Sequence, residues 1–297
     1  MLTKAIRIFL VTATVIGGLG CRPSAEQVPA QPQTADYPAA QPSVRPPAVA
    51  GPLYPANPEE LRSTIADFLA QADVPELSGE VVAVMAPHAG YRYSGSVAAY
   101  AFKAIQGGDY DVVVVIGVSH GYPIGPGAAI SGRDYWRTPL GNVAVDDQLR
   151  TALASASDVL TIDDAPHRLE HSLEVELPFL QTVLDDFSIL PILMTDFGEE
   201  NTSRVAEAIS KVVDERRVLI VASTDMSHYP ASDQAWQVDK AMLQAIATLD
   251  PNNVCATDDQ LMKKGVPNLR CTLCALGPLV VAMKVAKSLG ADQAKVL

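Results

Sequence analysis

The chain has 297 residues, 48% of them hydrophobic and 19% charged, with a formal net charge of −12. That length and apolar content suffice for one sizeable core. An acidic balance with no run of Lys or Arg excludes a basic nucleic-acid-binding stripe.

In chain order, the first segment reads as a targeting signal. Lys4 and Arg7 give a positive start, Ile8–Ile16 a short apolar run, and Gly17-Gly18-Leu19-Gly20 leads to Cys21. Small residues where a peptidase would cut, followed at once by cysteine, resemble a bacterial lipoprotein signal over residues 1–20, with Cys21 as the lipidation site; plain secretion or an uncleaved anchor helix are the alternatives. The apolar run falls short of the roughly 20 residues that span a bilayer. A Pro/Ala/Gln-rich stretch follows, and residues 21–47 are expected to be an extended tether too poor in large aliphatics to order itself. The remaining residues, 48–297, carry no second linker and read as one domain.

Asn57-Pro58-Glu59-Glu60 is a helix start, with an N-cap, a proline at the first helical position and Glu at the capping-box position. Leu61, Ile65, Phe68 and Leu69 follow at helical spacing. Val81–Ala86 is predicted to be a strand buried on both faces, because no polar alternation marks a wet side. Val97, Tyr100, Ala101, Ala104 and Ile105 predict the next helix, ended by Gly107-Gly108, and Val112–Ile116 the next strand. This order predicts a parallel strand pair joined by a right-handed crossover. Short strands are expected at Ala128–Ser131 and Val143–Val145, on either side of Tyr135–Pro139, and a helix at Asp146–Ala154. Leu173, Leu177, Leu180 and Leu184 predict a helix with Pro178 as a kink. Phe187–Met194 is another strand, placed at an edge or bulge by Pro191. Val205, Ala208, Ile209 and Val212 mark a helix before the strand Val218–Ala222. Trp236–Ala247 and Leu276–Leu289 close the chain as helices, the last ending at Gly290. The alternation gives an α/β domain with a mixed, largely parallel central sheet and helices on both faces.

Three of these strands run into loops that carry histidine: Pro87-His88-Ala89-Gly90, Gly117-Val118-Ser119-His120 and Ser223-Thr224-Asp225-Met226-Ser227-His228. In an open α/β sheet such loops border the ligand crevice. His88, His120 and Cys274 form a candidate metal site, since imidazole and thiolate suit Fe(II), Cu or Zn far better than Mg or Ca. Cys274 precedes the last helix, whose N-terminal end favours negative charge. The bland alternative is two histidines bonded to backbone carbonyls and a buried cysteine. Cys271-Thr272-Leu273-Cys274 is also a C-x-x-C pair, open to disulfide or dithiol chemistry. Asp225 and His228 form a candidate proton-transfer pair, in which a carboxylate sets the imidazole's tautomer and basicity. The alternative is an Asp that caps a turn. Tyr91 and Tyr93 either hydrogen-bond a substrate or pack. His171 follows Glu170 near an expected helix start, whereas Pro166 favours a structural role for His167.

With these residues in view, the sequence resembles the Memo family, known in bacteria as AmmeMemoRadiSam system protein B and similar in fold to the class III extradiol dioxygenases. The resemblance rests on Ala48–Pro55 (AVAGPLYP), Ala86–Tyr91 (APHAGY), Gly117–His120 (GVSH), Glu170–Glu174 (EHSLE) and Ser223–His228 (STDMSH), in one order. It implies that His88 and His120 match the two iron-ligating histidines of the dioxygenases and that His228 matches their acid/base. Where those enzymes carry a third, carboxylate ligand, Memo proteins carry cysteine, here Cys274. Ala275 stands where glycine is common in the family, and Cys271 is an additional thiol.

The resemblance implies a mononuclear His/His/Cys centre holding Fe(II) or Cu and a redox-related function, with Tyr91, Tyr93 and His171 near the substrate. The alternative is a catalytically silent module that binds a small molecule or peptide in the inherited cleft, in line with the adaptor role of eukaryotic relatives. A third is thiol–disulfide chemistry through Cys271 and Cys274. The expected setting is extracytoplasmic, lipid-anchored to a bacterial membrane, with a functional link to a radical SAM protein.

Overall fold

Runs of aliphatic residues without polar interruption go to the middle of the sheet, because both faces must be covered. In the computed structural model, which describes residues 41–77, 79–213 and 216–297, the strands are β1 (Val44–Arg45), β2 (Ala83–Ala86), β3 (Val112–Val118), β4 (Ala128–Ile130), β5 (Tyr135–Thr138), β6 (Gly141–Ala144), β7 (Leu160–Ile162), β8 (Ser188–Met194) and β9 (Val218–Ser223). The helices are α1 (Pro58–Gln71), α2 (Tyr91–Lys103), α3 (Asp147–Ala156), α4 (Leu177–Val183), α5 (Glu199–Val212), α6 (Ser232–Ile246), α7 (Pro251–Lys263) and α8 (Leu276–Ser288), with a 3₁₀ turn at Glu174–Glu176 before α4. The expected signal, Cys21 and the tether as far as residue 40 lie outside the described residues.

The six-stranded sheet has the order β2-β9-β3-β8-β4-β7. Strands β2, β9, β3 and β8 are mutually parallel, and β4 turns antiparallel to β8. Every residue of β3 and β9 is buried. Alternation sorts their side chains: Val112, Val114 and Ile116 face a core built with α3, α5, α6, α7 and α8, whereas Val113 and Val115 face one built with α1, α2 and α4. A single α/β domain with helices on both faces of a mixed sheet is thus the architecture, as the sequence predicts.

Several details differ from expectation. Strands β2 and β3 are parallel but not neighbours, because β9 lies between them and pairs with both. Pro191 is not on an edge strand, since β8 sits between β3 and β4. Its carbonyl accepts from Ser131 N at 3.2 Å, just past the last β4 pair. N–H and C=O of one strand residue face the same flank, so the donor that proline lacks falls where the ladder to β4 has already ended. Pro178 starts α4 rather than kinking a helix. Val97 is exposed, because the inward stripe of α2 runs through Tyr91, Gly95, Ala98 and Phe102 and leaves Val97 on the opposite face. Tyr135–Thr138, which lies between the two short strands expected there, is itself a strand with alternating burial and pairs with both β1 and β6.

At the N-terminal boundary, Val44 and Arg45 form β1 rather than tether, and Ser43 N donates to Asp134 Oδ2 at 2.7 Å. The cap of α1 is as predicted: Asn57 Oδ1 accepts from the backbone of Glu59 and Glu60. No helix among the described residues is long and apolar enough to cross a membrane.

Candidate metal centre

Parallel strands end on one edge of the sheet, so the loops after β2, β3 and β9 share a mouth. Gly90 follows the first of these loops and lets Leu53 O accept from Tyr91 N at 2.8 Å, which pins the turn after His88. The segment after β7 reaches the same mouth: Ser172 Oγ donates to Val118 O at 2.8 Å, laying Glu170–Leu173 across the end of β3. The turn before α8 is tied to the loop after β9 through backbone bonds from His228 N to Cys271 O and from Cys274 N to Asp225 O, both 3.2 Å.

These ties bring together side chains that lie far apart in sequence. Cys274 Sγ is 3.2 Å from His88 Nε2 across 186 positions, and it accepts from Asp225 N at 3.1 Å. The ring of His120 stands edge-on to that of His88, with centroids 5.2 Å apart, and the ring of His171 stacks on His120 at 4.5 Å. One ligand atom from each of His88, His120 and His171 lies within 4.8 Å of the others, and the same holds for His88, Asp225 and Cys274. Two donors of one tetrahedral ion, at bond lengths of about 2.0–2.3 Å, stand about 3.5 Å apart. The approach of Cys274 sulfur to His88 Nε2 fits that spacing, and the imidazole–sulfur donor set fits a borderline or soft cation.

Glu170, which the sequence marks only as the neighbour of His171, organises two of the imidazoles. Its Oε1 accepts from His120 Nδ1 at 3.0 Å and lies 3.1 Å from His171 Nδ1. It also accepts from the backbone of His171 and Ser172, while Oε2 accepts from His120 N at 2.6 Å. Burial alone would raise this carboxyl. The imidazole and backbone donors outweigh burial and hold it well below the ordinary carboxylate range. Both Nδ1 atoms being engaged on the outside, the Nε2 atoms of His120 and His171 are left for the mouth.

The environments push two imidazoles in opposite directions. Burial lowers His88 to about 4 despite the nearby charge of Asp225. His120 is pushed up to about 9, first by its hydrogen bond with Cys274 and then by Glu170. Asp225 spends Oδ1 on the backbone N–H groups of His88 and Ala89, at 2.8 and 3.1 Å. Its Oδ2 is 3.8 Å from His228 Nε2, so the expected Asp225–His228 pair meets at electrostatic distance, beyond a direct hydrogen bond.

The other predicted positions separate. Tyr91 is buried, with its ring near Tyr54 and Phe179 and its hydroxyl donating to Val175 O at 2.7 Å, so packing accounts for its contacts. Tyr93 is 75% exposed on α2, beside Arg92. His167 is buried with Nε2 3.2 Å from Ala129 O and its ring against Trp136, away from the three-imidazole group. Cys271 carries a free thiol that burial pushes up. Of the residues missed, Glu170 and Ser223 had a sequence signal only as members of the EHSLE and STDMSH motifs, which did not say what either side chain does.

The fold and this gathering of imidazoles, carboxylates and a thiol at the sheet mouth define a class: α/β proteins with a soft-donor centre built on strand-end loops. Comparison with known proteins narrows it. The Memo family, described as Memo-like protein, matches residues 45–297. A MEMO1 family protein of Methanopyrus kandleri is 36% identical over 264 residues, covering 85% of this chain and 90% of the relative. One from Nitrosopumilus maritimus is 34% identical over 259 residues, with 86% and 91% covered. One from Ignicoccus hospitalis is 37% identical over 270 residues, with 86% and 90% covered. The chain belongs to the Memo-like family.

Proposed function

We propose that the domain holds one metal ion through His88, His120 and Cys274 and serves as a metal-dependent redox protein for a small molecule bound at the mouth. The observation that carries this reading is the convergence of His88 Nε2, Cys274 Sγ and the His120 and His171 rings at one sheet edge. Bound iron or copper would supply one-electron chemistry there. Glu170 orients His120, and Asp225 braces the His88 loop through its backbone. His228, with its side chain 32% exposed, is the group that holds or gives up a proton at Nε2 beside the ligand. Tyr229, at a left-handed φ of 73°, presents an exposed ring 5.6 Å from that of His228 and supplies an aromatic rim.

The residues before position 41 support a lipid tether at Cys21 on the extracytoplasmic side of a bacterial membrane, on sequence grounds alone. Elemental analysis of the full chain purified without oxygen tests the centre. About one iron or copper per chain is expected, falling to background in His88→Ala and Cys274→Ala. Metal that persists when all three ligands are replaced, or its absence from the wild type, overturns the reading. Oxygen uptake with catechols separates a redox protein from a silent binding module. Palmitate labelling lost in Cys21→Ser tests the tether, which an unlabelled wild type refutes.

A further inference from the structure

Ser223 ends β9 and lies directly behind His88. Three polar atoms surround its hydroxyl oxygen: the carbonyl oxygen of Ser172 at 2.5 Å, Glu176 Oε1 at 2.7 Å and His88 Nδ1 at 2.9 Å. All four residues are buried. A serine hydroxyl has one hydrogen to give and two lone pairs to receive with. The carbonyl of Ser172 cannot donate, so at 2.5 Å the single hydrogen of Ser223 is committed to it. The same hydrogen cannot also serve Glu176 or His88. Both remaining contacts are attractive only when the neighbour brings a proton of its own: Glu176 on Oε1, and His88 on Nδ1.

The surroundings of Glu176 agree with that count. Its side chain is 1% exposed, and no Lys, Arg or His among the described residues pairs with it. The buried guanidinium that reaches this segment from β1, Arg45, is engaged by Glu174. Burial, joined by the negative charge of Asp225, pushes the carboxyl well above its ordinary value and outweighs the opposing bond to Ser223. Six positions earlier, Glu170 is surrounded by N–H donors and is ionised. The same side chain therefore takes opposite states within one turn-rich segment, decided by what faces it.

We infer that Glu176 is a positioning residue whose carboxylic acid donates a hydrogen bond to Ser223, so that Ser223 accepts a hydrogen bond from Nδ1–H of His88 and the Nε2 lone pair of that imidazole is delivered toward Cys274. The tautomer stands on hydrogen counting alone; its use in holding a metal rests on the function proposed above. A second device thus accompanies Glu170: a carboxylate sets His120 and His171, and a carboxylic acid relayed through a hydroxyl sets His88.

The test uses metal-free full chain with 15N-labelled histidine. The His88 signals, assigned by their loss in His88→Gln, are expected to show protonated Nδ1 and unprotonated Nε2. Difference infrared spectra are expected to contain the C=O stretch of a protonated carboxylic acid that is absent in Glu176→Gln. That variant keeps a donor, now an amide N–H, at the same place, so it should retain the tautomer and bind Co(II) within about twofold of wild type. Glu176→Met removes the donor and should mix the tautomers and weaken Co(II) binding about tenfold. A His88 with protonated Nε2 in the wild type overturns the inference. So does a missing acid band, or a Glu176→Gln that behaves like Glu176→Met. The wild-type spectra need no variant to fold. Should the spectra come out as expected while no variant or wild type binds Co(II), the tautomer assignment stands and the metal reading alone fails.

Discussion

His167 shows how one buried side chain outside the mouth of the sheet can set a pH dependence of stability. Burial, reinforced by the positive charge of Arg45, lowers it from an ordinary 6.5 to about 3, and its Nδ1 has no hydrogen-bond partner. Between pH 3 and 6.5 the unfolded chain binds a proton at this position that the folded chain refuses. Stability therefore rises with pH across that window and is lost on acidification. From pH 6.5 to 4.5 the loss assigned to this one group is about 2–3 kcal/mol. Urea unfolding at the two pH values should show His167→Gln with a shallower dependence than wild type by roughly that amount. Parallel dependences for the two proteins would assign the acid sensitivity elsewhere.

At the scale of elements, β3 couples packing to the centre through a glycine. A Cβ on Gly117 would stand 2.7 Å from Leu173 Cδ2 and 2.8 Å from Ser172 Oγ. Those two residues lie on the segment that seats Glu170, and Ser172 O takes the hydroxyl hydrogen of Ser223. Gly117→Ala is expected to lift this segment off the strand, costing about 1–3 kcal/mol and weakening metal binding together with stability. Gly121→Ala is the matched control, since nothing lies within 4 Å of its added methyl. Equal denaturation midpoints for the two variants would remove the coupling. This coupling explains what could be read from the sequence and what could not. The aliphatic runs at Val112 and Val218 announce buried strands, and a histidine in the loop after such a run announces the mouth. The strand order is not in those runs: nothing local says that β9 inserts between β2 and β3. The STDMSH motif marks Ser223 without its role, and Glu176 carries no pattern, because their meaning comes from one hydroxyl and one acid meeting through three-dimensional packing. Helix α7 has little apolar periodicity to announce it, since Pro251, Val254 and Leu261 are its buried positions.

For the molecule as a whole, the question is what fastens the segment bearing Glu170 and His171 to the rest, and the answer begins in a stretch that reads as tether. Arg45 is 3% exposed and lies 4.1 Å over the ring of Trp136. Its Nη1 donates to Glu174 at 2.6 Å, Nε to His167 O at 2.7 Å and Nη2 to Glu170 O at 2.6 Å. Glu174 also accepts from Ala48 N, Val49 N and the Tyr54 hydroxyl. A single guanidinium thus clasps the backbone of the Glu170 segment while its partner carboxylate clasps the chain just after β1. An isolated Arg in a Pro-rich run gives no hint of this, since the surface that buries it comes from residues about 90 to 130 positions away. Burying an ion pair need not stabilise a fold, but removing one partner strands the other charge in a dry site. Arg45→Met is therefore expected to cost about 3–5 kcal/mol, more than an exposed pair could. Glu174→Gln in the same chain should recover part of that loss, because the stranded charge is then gone while the amide still meets Tyr54. The coupling between the two changes, read from denaturant unfolding of wild type, both single variants and the double, should be well above the few tenths of a kcal/mol typical of independent sites. Strict additivity would mean that Arg45 acts through Trp136 and the two carbonyls alone, and that the clasp does not depend on its charge partner.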